Sequence, residues 1–413
     1  MANGVVVVPL ERARAFWQAR AGLARPSSFP TLENAVAATG WVRTLGGVDA
    51  YIAVRARVPN LRRADIDAAV ARRELQAIPA VRGCIYLVPL ADVPLALQVA
   101  GRQFRPRAER ELEKAGVKPA ELRKVADAAL QALAAGPLTP DALRKVMPAG
   151  SVRSLGEAGK KAGLSSPLPT ALRTLEFEGR VTRVLPEGRL DTERYAWALA
   201  PTDPFARARL PEDATGLHAL LAARFFRWAG PASRADFAEW SGLAQREAAA
   251  AIAQLRLAPV AVEGYADEAF VFPDDLDALA AAKASPRPAL LSFEDNAVTL
   301  HGGARVLTDP RHHARKVESW GMARPTTLGE ARHVSLRPIF RAGVIAGFWE
   351  YDPRRAAIVH ELLDPLPKAA LGALGAEIES LRAFLADEVG HARSFALDTD
   401  EDLHRRASRL GSA

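Results

Sequence analysis

Residues 119–204 and 205–284 carry the same succession of secondary-structure signals, and that repetition limits the fold more than any other feature of this 413-residue chain. In the first copy LRKVADAALQALAAG has helical periodicity, Gly136-Pro137 breaks it, and Thr139 is placed to cap TPDALRKVM. An insertion containing GKKAGLSSP leads to a third helix, PTALRTLEFEG, and RVTRVLPEGRLDTERYAWAL then alternates as two strands around Glu187-Gly188. In the second copy HALLAARFFRWAG ends at Gly230-Pro231, Ser233 caps RADFAEWSGL, QREAAAAIAQLRL forms the third helix, and VAVEGYADEAFVF forms the hairpin. Leu172-x-x-Leu175 in the first copy matches Ile252-x-x-Leu255 in the second. Three helices followed by a β-ribbon is the layout of a winged helix.

The flanks extend the pattern. ERARAFWQARAGL, LENAVAATGWVRTL (ending at Gly46-Gly47) and RRADIDAAVARRELQA are expected as helices, with VRGCIYLVP as the strand after Pro79. From about Pro286 short β-branched and aromatic runs alternate with Gly and Pro, the texture of a small antiparallel sheet or barrel. PKAALGALGAEIESLRAFLADEV is a closing amphipathic helix, and the tail from Leu397 is expected to fray. The expected fold class is therefore α+β: winged helices over 1–118, 119–204 and 205–284, then a β-rich unit with a terminal helix over 285–413.

Charge placement separates the first unit from the rest. Residues 1–120 hold 18 Lys+Arg against 10 Asp+Glu, whereas the remaining 293 hold 37 against 38. A local basic excess suits a phosphate-facing surface. The apolar run at the start is short and lacks a basic region before it, so it reads as a lead-in strand, not a signal peptide. A single cysteine, Cys84, excludes an internal disulfide and a Cys-based zinc cluster. No long uncharged apolar run, phosphate loop, His-Glu-x-x-His or Gly-x-Ser-x-Gly occurs, so a membrane partner, a metal or another cofactor is not expected. The default location is cytoplasmic.

Two short motifs frame the basic region. Leu45-Gly46-Gly47-Val48-Asp49-Ala50-Tyr51 opens it, and Arg82-Gly83-Cys84-Ile85-Tyr86-Leu87-Val88 closes it. Together they resemble the paired signatures of the winged-helix crosslink-repair DNA glycosylases of the AlkZ and YcaQ type. That family's first motif looks like Leu-Gly-Gly-Leu-Gln-x-Gln (or Gln-x-Asp), and its second like Arg-Gly-Thr-x-His-Leu-Val. Leu290–Asn296 resembles the family's Leu-Leu-Pro-x-Asp-Asn run, and Gly343–Trp349 a later Gly-x-Val-x-Gly-x-Trp element.

The resemblance implies duplex DNA, alkylated or otherwise damaged, as partner, and release of N7- or N3-alkylated purines, crosslinked ones included, as activity. Removing such a base needs a group that stabilises an oxocarbenium-like sugar and positions water. Asp49 stands where the first glutamine would and is the candidate carboxylate, with Tyr51 beside it. Arg82, Cys84, Tyr86, Asp295 and Asn296 would shape the pocket. Asp49, Tyr51, Cys84 and Tyr86 depart from the family's residues at these positions, which favours the alternative of a winged-helix DNA-binding protein without glycosylase activity, serving damage recognition or regulation. Arg55, Arg57, Arg62, Arg63, Arg102, Arg105 and Arg107, with Arg173 and Arg183 of the next unit, are the expected DNA contacts.

Overall fold

In the computed structural model the described residues are 6–24, 29–185, 188–192, 194–319 and 324–410. Glu187, at the expected hairpin turn, lies outside them.

The two repeats fold alike. In the first, helices Pro119–Leu133, Pro140–Val146 and Leu168–Phe177 precede the antiparallel pair Val181–Val184 and Ala196–Leu199, and the insertion adds a short helix, Gly156–Lys161. In the second, Ala214–Ala229, Arg234–Ser241 and Gln245–Ile252 precede Ala258–Val262 and Ala266–Val271. Thr139 Oγ1 accepts from the Ala142 N–H at 3.2 Å and Ser233 Oγ from the Asp236 N–H at 3.1 Å, the same cap in both copies. The residue after each Gly-Pro bridges the outer hairpin strand, Leu138 to Trp197 and Ala232 to Phe270. The hairpins differ in their neighbours, because Val6–Val8 joins the second as a parallel third strand.

The N-terminal part departs from its sequence reading in three places. The helix begun at Leu32 stops at Thr39, not at Gly46-Gly47, because Gly40 turns out at φ +102° where Asn296 and Trp228 crowd the position. Val42–Arg43 then pairs with the Ile85–Pro89 strand. Asp49–Arg57 is itself a helix, and the helix Arg63–Ala71 ends early so that Leu75–Pro79 pairs with Ile85–Pro89.

The β-rich part forms an open antiparallel sheet ordered Ala357–Leu362, Val344–Asp352, Arg337–Arg341, Ala289–Leu290, and not a closed barrel. Lys368–Ala383 is the expected closing helix. Over the described residues the tail does not fray. Thr399 caps Asp400–Leu410, which buries Leu403, Ala407 and Leu410 at helical spacing.

Three large cores cross the sequence. One joins Trp41, Val88 and Leu97 to Phe225, Phe237 and Trp240, a second joins Val54, Ile66 and Leu87 to Trp349 and Phe384, and another joins Phe16 and Trp17 to Val260 and Phe348. A fourth lies wholly within 125–197.

Candidate nucleic-acid interface

A groove of about 460 Å³ separates the first motif region from the first repeat. Thr44, Leu45 and Gly46 form one wall, and Ala77, Gly83, Cys84 and Ile85 form the floor. Arg173, Arg183, Leu190, Thr192 and Tyr195 are on the opposite wall. The far wall is stiff. Arg183 forks onto the buried Glu176 at 2.8 and 3.1 Å while its guanidinium lies 4.6 Å from the Tyr195 ring and 5.3 Å from the Trp197 ring. Burial raises the Glu176 pKa, against the opposing pull of Arg183. Arg173 lies over Phe104 at 5.5 Å and donates to the Gly83 carbonyl at 2.8 Å, which fixes the floor to this wall.

Gly83 and Arg82 also border a shallower hollow of about 940 Å³ with Arg102, Phe104, Arg105, Arg107 and His218. Arg102 and Arg107 are exposed, and Arg105 is 3.6 Å from Glu178. Arg62 is exposed as well. Arg102, Arg105 and Arg107 form a basic shelf beside the groove, the arrangement that neutralises phosphates.

Other expected contacts are occupied within the fold. Arg57 is buried and forks onto Asp295 at 2.7 and 2.9 Å. Arg55 lies 5.1 Å over Phe384 and donates to Ser380 Oγ at 2.8 Å. Arg63 is 3.1 Å from Asp67. Asp295 also caps the helix Asn296–Thr299, so its role is to join that helix to Asp49–Arg57.

Asp49 is buried and lines none of these hollows. The Gly-Gly turn delivers it beneath the C-terminal segment, and a Cβ on Gly47 would collide with the Arg393 carbonyl oxygen. Arg337 Nε and Ser394 Oγ each stand 3.4 Å from Asp49 Oδ1, and Arg337 pairs with Glu350 at 2.5 Å. Arg406 completes the cluster by bridging Glu350 and Asp398 at 2.7 Å each. Burial pushes the Asp49 carboxyl up to about 7, with Arg337 pulling the other way. Tyr51 is fully buried, donates to Asp67 at 2.6 Å and accepts from the Leu190 N–H at 2.8 Å.

Tyr86 and Asn296 do meet, with Arg82, in a small polar cavity of about 20 Å³. Its other walls include Arg43, Trp240, Glu294 and His333, none of which sequence reasoning singled out. Glu294 has φ +61° and Arg82 φ +56°, uncommon for side chains of this kind. Burial alone would raise the Glu294 pKa, but His333 at 2.6 Å and Arg43 at 2.5 Å hold it below the usual range. Arg43 also reaches Cys84 Sγ at 3.8 Å, so this cavity lies directly behind the groove floor. Glu294 sits inside the Leu290–Asn296 run and Arg43 just before the Gly-Gly turn. Both were in sight, but nothing local marked them as partners.

The fold is thus that of an α/β scaffold with a basic, aromatic-walled groove between two helix-and-hairpin units. The sequence matches the family model of AlkZ-like DNA glycosylases over residues 47–384, and the chain belongs to that family. Among solved structures it is similar to the DNA glycosylase AlkZ of Streptomyces sahachiroi, at 18% identity and a TM-score of 0.66, covering 94% of this chain and 99% of that one. Among curated proteins no relative matches the sequence. Among the described residues no helix is long and apolar enough to cross a membrane.

Proposed function

We propose that this protein binds duplex DNA and receives a damaged, extruded nucleotide in the groove walled by Tyr195, Arg173 and Arg183. The groove's continuity with the arginine shelf through Gly83 carries this reading. Phosphates would lie on Arg102, Arg105 and Arg107, and a base turned out of the stack would meet the Tyr195 ring. The repeats are read as winged helices, with unit boundaries near residues 119, 205 and 285. The third helix of the first repeat then carries Arg173 to the DNA. Such a role places the protein on the nucleoid within the cytoplasm.

In this reading Asp49 acts in the fold and not on the substrate, since its carboxylate is spent on Arg337 and Ser394. A second reading, base excision, is favoured by Glu294, a carboxylate kept ionised behind the groove floor, whose charge would favour an oxocarbenium-like sugar. One assay separates them. Duplex DNA containing N7-methylguanine is incubated with the protein, and abasic sites are revealed by alkali. Salt-sensitive, lesion-preferring binding without cleavage supports recognition alone, whereas cleavage abolished by Glu294→Gln establishes excision. Equal affinity for damaged and undamaged duplex would overturn the groove assignment.

A further inference from the structure

The segment Gly390–Asp398, between the last two helices, touches both walls of the groove without lining it. On the near wall Phe395 bridges Gly46, the Ala396 N–H donates to the Leu45 carbonyl at 3.3 Å, and the Val48 N–H donates to the Arg393 carbonyl at 2.8 Å. On the far wall His391 Nε2 lies 2.9 Å from Asp191 Oδ2, between the lining residues Leu190 and Thr192. Arg189 pairs with the same carboxylate and donates to the Val389 carbonyl at 2.8 Å. The segment itself is anchored from below. Arg337 donates to the Ala392 carbonyl at 2.6 Å and to Ser394 Oγ at 2.7 Å, and Asp398 accepts from the Ser394 N–H at 3.1 Å.

We propose that Gly390–Asp398 is a strap that fixes the separation of the two groove walls, with His391 and Arg189 as positioning residues that determine the size of group the groove admits. The near wall is held by backbone bonds to the strap, which side-chain changes leave in place. The far wall is held to it by His391 on the buried Asp191, and to the residue just before it by Arg189 on the Val389 carbonyl, while Arg189 also fixes the Asp191 carboxylate within the wall. Releasing either loosens the 189–192 loop of the far wall, still tied at Leu190 to Tyr51 and through Arg173 to Gly83, and lets it shift outward from Cys84. The significance for lesion size rests on the DNA-binding reading above, but the strap itself does not.

Cys84 supplies a probe, being the chain's only cysteine and part of the groove floor. The full-length protein, without DNA, is treated with iodoacetamide or with fluorescein maleimide, and the two rates of Cys84 modification are compared. His391→Ala is expected to raise the bulky-to-small rate ratio roughly tenfold, as the loss of one charge-assisted hydrogen bond implies. His391→Gln, which keeps a donor at similar reach, should restore the wild-type ratio, and Arg189→Gln should act like His391→Ala. An unchanged ratio, or both rates rising together, would overturn the proposal, as would failure of the glutamine to restore it. Because no DNA is present, a negative result here is separate from a failure to prefer damaged DNA.

Discussion

The first repeat and the N-terminal motif region face each other across one groove, yet they are stabilised in opposite ways. The repeat draws its core from its own sequence, with Leu133, Leu172, Leu175, Val181 and Trp197 packed together. The motif region borrows. Ile52, Val54 and Leu87 pack against Trp349, Phe384 and Leu385, more than two hundred residues away. Its charges are borrowed too, since Asp49 meets Arg337 and Arg57 meets Asp295. A groove built this way has one wall that can move as a unit and one that is part of the main body.

The largest test of that contrast is the loss of one tryptophan on each side. Trp197 and Trp349 are both buried, and either change to alanine is expected to cost about 3–5 kcal/mol. Trp197→Ala should unfold the repeat first, giving two calorimetric transitions and early proteolysis confined to 119–204. Trp349→Ala should lower a single transition. One shared transition in both variants would break the comparison.

Next in size is the buried pair Arg57–Asp295. Removing one partner leaves a charge buried without compensation, a loss of about 3–5 kcal/mol. Arg57→Ala should therefore lower the melting temperature strongly while leaving DNA affinity, measured below the transition, unchanged. A selective loss of DNA binding would return Arg57 to the interface.

The exposed arginines should behave in the reverse manner. Arg102→Gln with Arg107→Gln is expected to leave stability intact and to lower the slope of log affinity against log salt by about 2, near 1 per phosphate contact. Fluorescence anisotropy over a salt series measures this. An unchanged slope would move the DNA path off the shelf.

The same contrast decides what the sequence could reveal. The repeat was legible because its signals are local: Gly-Pro breaks, the Thr139 and Ser233 caps, and period-two strands. The motif region was legible as a pattern but not as an environment. Helix Asp49–Arg57 was missed because its apolar residues face all round, as befits a helix buried between the sheet and the first helices, and so leave no one-sided stripe. The final helix was missed although Thr399-x-x-Asp402 and the spacing of Leu403, Ala407 and Leu410 spell it out. Of the candidate site, Arg82, Tyr86 and Asn296 do share one cavity, and Cys84, Arg173 and Arg183 share one groove. Which arginines would be free was not readable, because Asp295, Phe384 and Asp67 become neighbours only on folding.

Asp49 gives the sharpest sign. An unfolded aspartate titrates near 3.8, whereas burial holds the folded one at about 7. Between those values the folded chain keeps a proton that the unfolded chain has released, so this group's contribution to stability falls as pH rises through the interval and is constant above it. Asparagine has the same shape and no charge to desolvate, and it leaves Arg337 its second partner, Glu350. Asp49→Asn should therefore match the wild type near pH 4 and exceed it at pH 8. The gain should be a few kcal/mol, roughly 1.4 kcal/mol for each unit by which the folded value exceeds the unfolded one, the pull of Arg337 being already contained in that value. Thermal melts at the two pH values measure the difference. A variant less stable at pH 8 than at pH 4, relative to wild type, would mean that the carboxylate is needed ionised, and would restore Asp49 as a candidate for chemistry.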